Sequence, residues 1–236
     1  MKIITWNCNG AFRKKYDSIK NENADIYIIQ ECEDPNSISK ISSEFKEFSL
    51  GHLWIGGNKN KGLGVFVKKG IEINQLELNH SWNENTLKWF LPFQIGNHQK
   101  ILAVWSHHGD SDEYRYIGQF WLFLKNNKEH LKNTIIIGDF NSNKIWDYKR
   151  VECTHSNCVK ELKEIGIESL YHTREGIEQG KEKNYTFYLQ KNLNKPYHID
   201  YIFSPIDLLN DTRKFEIGDF TKWKEWSDHV PLLWEY

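Results

Sequence analysis

Thr134-Ile135-Ile136-Ile137-Gly138-Asp139-Phe140-Asn141 sets the pattern on which the rest of the chain is read. Four consecutive β-branched residues favour an extended backbone and leave no polar face for water, so Thr134 to Ile137 is expected to be a buried strand. Gly138-Asp139-Phe140-Asn141 then ends it with turn-favouring residues. Alone, this is an ordinary strand-to-loop junction. It matters because it leaves a carboxylate and a carboxamide at a strand end, and the same event recurs along the chain. Asn7 and Asn9 follow an apolar run over Ile3 to Trp6, and Asp25 to Gln30 ends at Glu31. Lys100 to Ser106 runs into His107 and His108. Ser227, Asp228 and His229 precede the last run, Pro231 to Tyr236. Strand ends on one edge of a sheet converge in space, and ligands collect there.

The remaining elements follow from periodicity. Further strands are expected over Lys61 to Lys68 and Ile71 to Leu78, joined by a Lys-Gly turn, and over Leu87 to Ile95, with a turn at Gly96-Asn97 before Lys100. Late strands are expected over Tyr185 to Gln190, His198 to Phe203 and Phe215 to Phe220. Helices are expected over Phe12 to Asn23, Ser37 to Phe48, Tyr114 to Leu131 and Asn157 to Ile165. In the third of these, Ile117, Phe120, Trp121 and Leu124 share a face. Glu175 to Asn184 is polar and holds two glycines, so an exposed loop is expected there. No internal sequence repeat or Pro/Gly/Ser-rich linker divides the chain. One domain over residues 1–236, mixing helices with many strands, is the economical expectation.

Bulk properties bound the function classes. Aromatic residues make up 14% of the chain, which favours a β-rich core and leaves a surplus for stacking on bases or sugars. The formal net charge is −1, so no global basic field draws the chain to nucleic acid or membranes. A local metal site would supply positive charge all the same, and it must be built from carboxylates. The start lacks the apolar run of a secretion signal, and no stretch reaches membrane-span length. The cysteines Cys8, Cys32, Cys153 and Cys158 form no dense disulfide framework. A cytoplasmic setting is expected, with no obligate protein partner.

Each polar group has a chemical use. Glu31 and Asp228 are hard oxygen donors suited to Mg²⁺ or Mn²⁺. Asn7 can donate or accept a hydrogen bond without adding charge. Asp200 lies inside an apolar strand, where a buried carboxylate needs a partner or a metal. Pairing with His229 would satisfy it and fix the imidazole tautomer. Hydrolysis of a phosphate ester needs an activated water, stabilised charge on phosphorus and help for the leaving oxygen, and this set holds candidates for all three.

Thr5-Trp6-Asn7-Cys8-Asn9-Gly10, Ile29-Gln30-Glu31-Cys32, Gly138-Asp139-Phe140-Asn141, Ile199-Asp200-Tyr201-Ile202 and Ser227-Asp228-His229-Val230-Pro231 together resemble the motifs of the endonuclease/exonuclease/phosphatase superfamily, in that family's order. Any one is weak; five in order are specific. The resemblance implies a DNase I-like four-layer α+β sandwich, with two mostly antiparallel sheets packed face to face and helices outside. It implies Glu31 as principal metal ligand, with Asn7 and Asp228 in support and Asn9 near the metal. Asp139 would orient or deprotonate the attacking water, and Asn141 would hydrogen-bond the phosphoryl oxygens. His229 would contact the scissile phosphate as base or electrostatic stabiliser, oriented by Asp200. His107 falls where DNase I and the sphingomyelinases have a leaving-group histidine, with His108 as the competing assignment.

The function implied is a Mg²⁺- or Mn²⁺-dependent nuclease acting on DNA or RNA. The alternatives are a phosphatase or phosphodiesterase for a phosphoinositide- or sphingomyelin-type substrate, and a catalytically inactive binding module. Three features have two readings each. Trp223 and Trp226 could stack on a base at the site mouth or pack in the core. Arg115 could touch phosphate or be a solvated residue at a helix start. Cys153, His155 and Cys158 have three zinc-type donors but no second cysteine pair at matching spacing, so buried or idle thiols are the other reading.

Overall fold

The computed structural model describes residues 1–96, 99–110, 114–149 and 152–236. Along the chain the strands are β1 (Lys2–Asn7), β2 (Ile26–Cys32), β3 (His52–Asn58), β4 (Lys61–Val67), β5 (Ile73–Gln75), β6 (Ser81–Trp82), β7 (Asn85–Thr86) and β8 (Phe90–Ile95). They continue with β9 (Gln99–Trp105), β10 (Thr134–Asp139), β11 (Ile167–Ser169), β12 (Phe187–Tyr188), β13 (Pro196–Tyr197), β14 (Asp200–Pro205), β15 (Lys214–Ile217) and β16 (Leu232–Glu235). Twelve of them form two six-stranded sheets, in the orders β15-β16-β1-β2-β4-β3 and β11-β14-β10-β9-β8-β5; β6/β7 and β12/β13 are two-stranded ribbons. Each sheet is antiparallel except for one central parallel pair, β1 with β2 and β9 with β10. The two mostly antiparallel sheets of the expected sandwich are therefore present.

Read from opposite ends, the sheets share one connectivity, shifted along the chain, with the parallel pair in the same place. Parallel neighbours end on the same edge. The ends of β1, β2, β9 and β10 therefore open together, and Asn7, Glu31, His107 and Asp139 lie at or just past these ends.

The strands are buried on both faces, which explains their unbroken apolar runs. Ile3, Ile26, Ile28, Ile135 and Ile137 point into the layer between the sheets. Their neighbours Ile4, Trp6, Tyr27 and Ile29 pack outward with Phe12, Tyr16 and Phe45. Ile136 packs outward against Phe120, Phe123 and Leu162 of the helices over the second sheet.

Several expected elements are shorter or differently placed. Phe12, Tyr16 and Ile19 form the buried face expected of a helix over Phe12 to Asn23, but the backbone breaks into a 3₁₀ turn, Phe12–Lys14, and one helical turn, Asp17–Lys20. The second helix begins only at Ser43, capped by the Ser42 hydroxyl on Phe45 N. The third runs Ile117–Asn127 and the fourth His155–Glu164. Tyr185 to Gln190 contributes only the two-residue β12. The expected hairpin of Lys61–Lys68 with Ile71–Leu78 does not form. β4 pairs with β3, and β5 crosses to the other sheet to pair with β8. Ile71 and Ile73 thereby enter the inter-sheet core. β3 lacks the apolar run of its neighbours because Gly56 and Gly57 fall within it. A Cβ on Gly56 or Gly62 would lie 2.1 or 2.4 Å from the Trp54 ring, so these positions are bare to let that indole lie across them. Asn97, half of the expected Gly96-Asn97 turn, lies outside the described residues. Among the described residues no helix is long and apolar enough to cross a membrane.

Candidate active site

Asn7 at the end of β1 and Asp139 at the end of β10 meet across the two sheets. Asn7 Nδ2 donates to Asp139 Oδ2 at 2.9 Å. Asn141, in the left-handed region at φ 46°, turns back on the same carboxylate. Its backbone N–H donates to Asp139 Oδ1 at 2.8 Å and its Nδ2 to Oδ2 at 3.0 Å. Asp139 is fully buried and takes three N–H donors.

Asp200 is directly opposite Asp139 in the β10–β14 register. Like charges facing across strands repel. Burial first, and Asp200 second, push the Asp139 carboxyl up to about 7. Asp200 accepts from His229 Nδ1, at 3.0 Å to Oδ2 and 3.2 Å to Oδ1. Burial alone would pull the His229 imidazole down, but the Asp200 and Asp139 carboxylates outweigh it and hold it up at about 9. Asp139, Asp200 and His229 each bring a ligand-type atom within 4.8 Å of the others. The expected Asp200–His229 pair is present, and the buried carboxylate has its partner.

Residues to which the sequence assigns no chemical role hold this group in place. Ser227 Oγ donates to Asn7 O at 2.7 Å and accepts from His229 N at 3.0 Å, which docks the Ser-Asp-His turn onto the end of β1. Trp6 Nε1 donates to His229 O at 3.1 Å. Thr186 Oγ1 accepts from the backbone N–H of Ile199 and Asp200, both at 3.0 Å. Gln30, fully buried, donates through Nε2 to Thr5 Oγ1 at 2.9 Å, beneath the loops. Bonds between residues this far apart leave no mark in the sequence beyond a polar residue in an apolar run.

Glu31 occupies a β-bulge. The β2–β4 register slips between Gln30 and Cys32, and Glu31 has φ 62°. The extra residue sends Cys32 to the same outward layer as Ile29 and releases the Glu31 side chain at the strand end. A left-handed non-glycine residue costs about 1–3 kcal/mol and marks a constrained position. Lys61 Nζ is 2.8 Å from Glu31 Oε2. Asn9, also left-handed at φ 52°, donates its N–H to Asn7 Oδ1 at 3.0 Å. Asp228 is fixed through its backbone, its carbonyl accepting from Tyr188 N at 2.8 Å.

His107 and His108 divide. His107 packs 4.8 Å from the Trp105 ring, and its electrostatic neighbours include Glu31 and Lys61. Burial and then His108 hold it below the ordinary histidine value. His108 packs edge-on against His107, 5.1 Å between centroids, and its Nε2 is paired with the Tyr116 hydroxyl at 2.9 Å. Arg115 lies at the head of the Ile117–Asn127 helix, its carbonyl accepting from Gly118 N.

Asn141 departs from expectation. Both Nδ2 hydrogens are spent, on Asp139 and on Ser106 O at 3.1 Å. What it has left is a carbonyl oxygen, which accepts and cannot donate to a phosphoryl oxygen. In this geometry it positions Asp139. Trp223 packs edge-on against Trp6, 5.1 Å between centroids, and with Trp226 lines a groove of about 540 Å³ on the outer face of the first sheet. His155 Nε2 pairs with Gln179 and Cys158 Sγ points to Ile117 O, so these two donors face separate partners. The Glu175–Asn184 loop is less free than expected, because Glu182 Oε1 accepts from buried His172 at 3.0 Å. An aromatic strip also leads away from the site. The Phe187 ring is 4.6 Å from His229 and 6.4 Å from Tyr197, which packs 5.2 Å from the exposed ring of Trp146.

Residues 4–229 match the Endonuclease/Exonuclease/phosphatase family. The chain belongs to this family. It is thus a relative of hydrolytic nucleases and phosphatases, and the motifs that mark the family at the sequence level lie on one edge of the sandwich. Among curated proteins no sequence matches the chain. Solved structures share the fold. A 3′-5′ exonuclease from Neisseria meningitidis superposes with a TM-score of 0.72 at 15% identity, covering 100% of this chain and 99% of its own. An AP endonuclease from Archaeoglobus fulgidus gives 0.69 at 16% identity, covering 100% and 99%. The endonuclease domain of TRAS1, a telomere-specific non-LTR retrotransposon, gives 0.64 at 14% identity, covering 99% and 96%.

Proposed function

We propose that the protein is a divalent-metal-dependent phosphodiesterase acting on nucleic acid. The observation that carries this reading is the buried Asp139–Asp200–His229 group, in which opposed carboxylates keep one proton acceptor and one cation side by side. Asp139, with its carboxyl near 7, can take a proton from an attacking water at neutral pH. Asn7 and Asn141 fix the lone pair that does so. His229, protonated below about 9 and oriented by Asp200, presents its other N–H to a phosphoryl oxygen and stabilises the charge that develops there. This assigns His229 to charge stabilisation and Asp139 to proton transfer. His107, whose electrostatic neighbours include Glu31, is the candidate for assisting the leaving group.

A metal fits beside this group. Glu31, Asn7 and Asp228 offer only oxygen donors, the preference of Mg²⁺ and Mn²⁺. The strained bulge of Glu31 presents a carboxylate that already has a cation, the Lys61 ammonium, against it. The Asp139–Asp200–His229 group is less suited, because a protonated imidazole cannot ligate and its Nδ1 is given to Asp200. When bound, the ion supplies positive charge to phosphate oxygens and lowers the pKa of a coordinated water.

The strip from Phe187 through Tyr197 to Trp146 favours nucleic acid over a lipid headgroup. Aromatic faces stack on any base, at about 1–3 kcal/mol each. The relatives named as exonuclease and AP endonuclease support the same substrate class. A cleavage panel on chelator-stripped protein with added Mg²⁺ or Mn²⁺ tests the reading. The substrates are single-stranded, duplex and abasic DNA, RNA, a phosphoinositide and sphingomyelin. Cleavage of a nucleic acid is expected; turnover of the lipids alone would overturn it.

A further inference from the structure

Lys61 is absent from every motif, yet it makes the only ion pair of Glu31 found among the described residues, 2.8 Å between Nζ and Oε2. The two partners differ in freedom. The Glu31 side chain is 16% exposed and grows from a bulged, left-handed backbone. Lys61 is 46% exposed and lies at the start of β4, on a long flexible stem. The hairpin that launches it is clamped. Trp54 donates to Cys32 O at 3.3 Å, tying β3 to β2 just past the bulge, and bare Gly62 lets the strands close over that indole. The Lys61 ammonium also lies 5.9 Å from the centroid of Trp105, a ring from the opposite sheet. A cation leaving Glu31 therefore has an aromatic face to rest on.

We propose that Lys61 is a tethered counter-ion of Glu31, a positioning residue that holds the carboxylate in place without metal and competes with the divalent ion for it. The proposal rests on the reading of Glu31 as a metal ligand. The carboxylates further along this edge have their own cation in His229, which pairs with Asp200. Glu31 is paired with Lys61, which offsets its charge and fixes its position in the absence of metal. Because Lys61 is the mobile partner, it is the one that gives way.

Calorimetric titration of Mn²⁺ into chelator-stripped protein tests this without measuring turnover. Removing a half-exposed competitor changes affinity modestly, so Lys61→Gln is expected to bind Mn²⁺ roughly three- to tenfold more tightly than wild type. Lys61→Arg, which keeps the charge, should bind no more tightly than wild type. Lys132→Gln, remote from the site, should bind as wild type and so controls for net charge. In thermal unfolding with chelator, Lys61→Gln should melt lower than wild type, and saturating Mn²⁺ should erase the difference. Unchanged or weaker Mn²⁺ binding by Lys61→Gln overturns the competition, and an unchanged metal-free melting point overturns the counter-ion role. Glu31→Gln separates the two levels. If it binds Mn²⁺ as wild type does, the metal reading fails and the proposal with it. If it loses binding while Lys61→Gln gains none, only the proposal fails.

Discussion

Asp139→Asn should inactivate the protein and stabilise it at the same time. The wild-type carboxyl is fully buried opposite Asp200, and its pKa rises from 3.8 to about 7 on folding. A raised carboxyl pKa means the folded state binds more protons than the unfolded state between those values. Stability therefore falls as pH rises through that window and stays low above it. The full shift corresponds to about 4 kcal/mol at pH 8. An asparagine carries no such penalty. Its amide oxygen can keep some of the three donated hydrogen bonds, while its NH₂ will face at least one donor, at about 1–3 kcal/mol. This offset is the same at every pH. The difference in unfolding free energy between variant and wild type should thus grow by roughly 2–4 kcal/mol from pH 4.5 to pH 8, after allowing for a weaker hold on His229. Urea unfolding with chelator at the two pH values measures it. At a slope of about 2–3 kcal/mol per molar, the relative midpoint moves by about 1 M. Turnover in the same variant should drop by about 10²–10⁴. A pH-independent difference in midpoint would refute the buried, charge-opposed Asp139.

Other outcomes follow from the same geometry. His107→Ala should slow turnover far more than His108→Ala, because His107 feels the charge of Glu31 while His108 is tied to Tyr116; equal losses in steady-state assays would remove that assignment. Buried His155 and His198 are held down at about 4, chiefly by burial. Their folded state binds fewer protons than the unfolded state between pH 6.5 and 4. Stability should be full above 6.5 and fall through that window by up to about 3 kcal/mol per histidine. His155→Gln should flatten the decline of the urea midpoint from pH 7 to 4.5, and an unaltered slope counts against the assignment.

The parts of the fold legible in the sequence are those where one strand meets apolar neighbours on both sides. β1, β2, β10 and β16 are unbroken apolar runs because sheets and helices cover both faces. β3 was not legible, because its glycines, Gly56 and Gly57, make room for the Trp54 and Trp89 rings. Nor was the crossing of β5 to the second sheet, since Lys-Gly fits a hairpin turn as well as a crossover. In the site, Asp200 could be read as needing a partner because a lone carboxylate stands out in an apolar strand. Ser227, Thr186 and Gln30 could not, because small or neutral polar residues gain meaning only from distant partners. The strip of Phe187, Tyr197 and Trp146 joins separate segments, and no local pattern announces it.

The central claim is metal-assisted hydrolysis at the sheet edge that carries Glu31, Asp139 and His229. Its most direct test is the cleavage rate of a nucleic acid substrate by chelator-stripped wild type and Glu31→Ala, with and without added Mg²⁺ or Mn²⁺. Wild type should be silent until metal is added, and Glu31→Ala should stay silent after it. Cleavage by stripped wild type, or near-normal cleavage by Glu31→Ala in metal, would contradict the account.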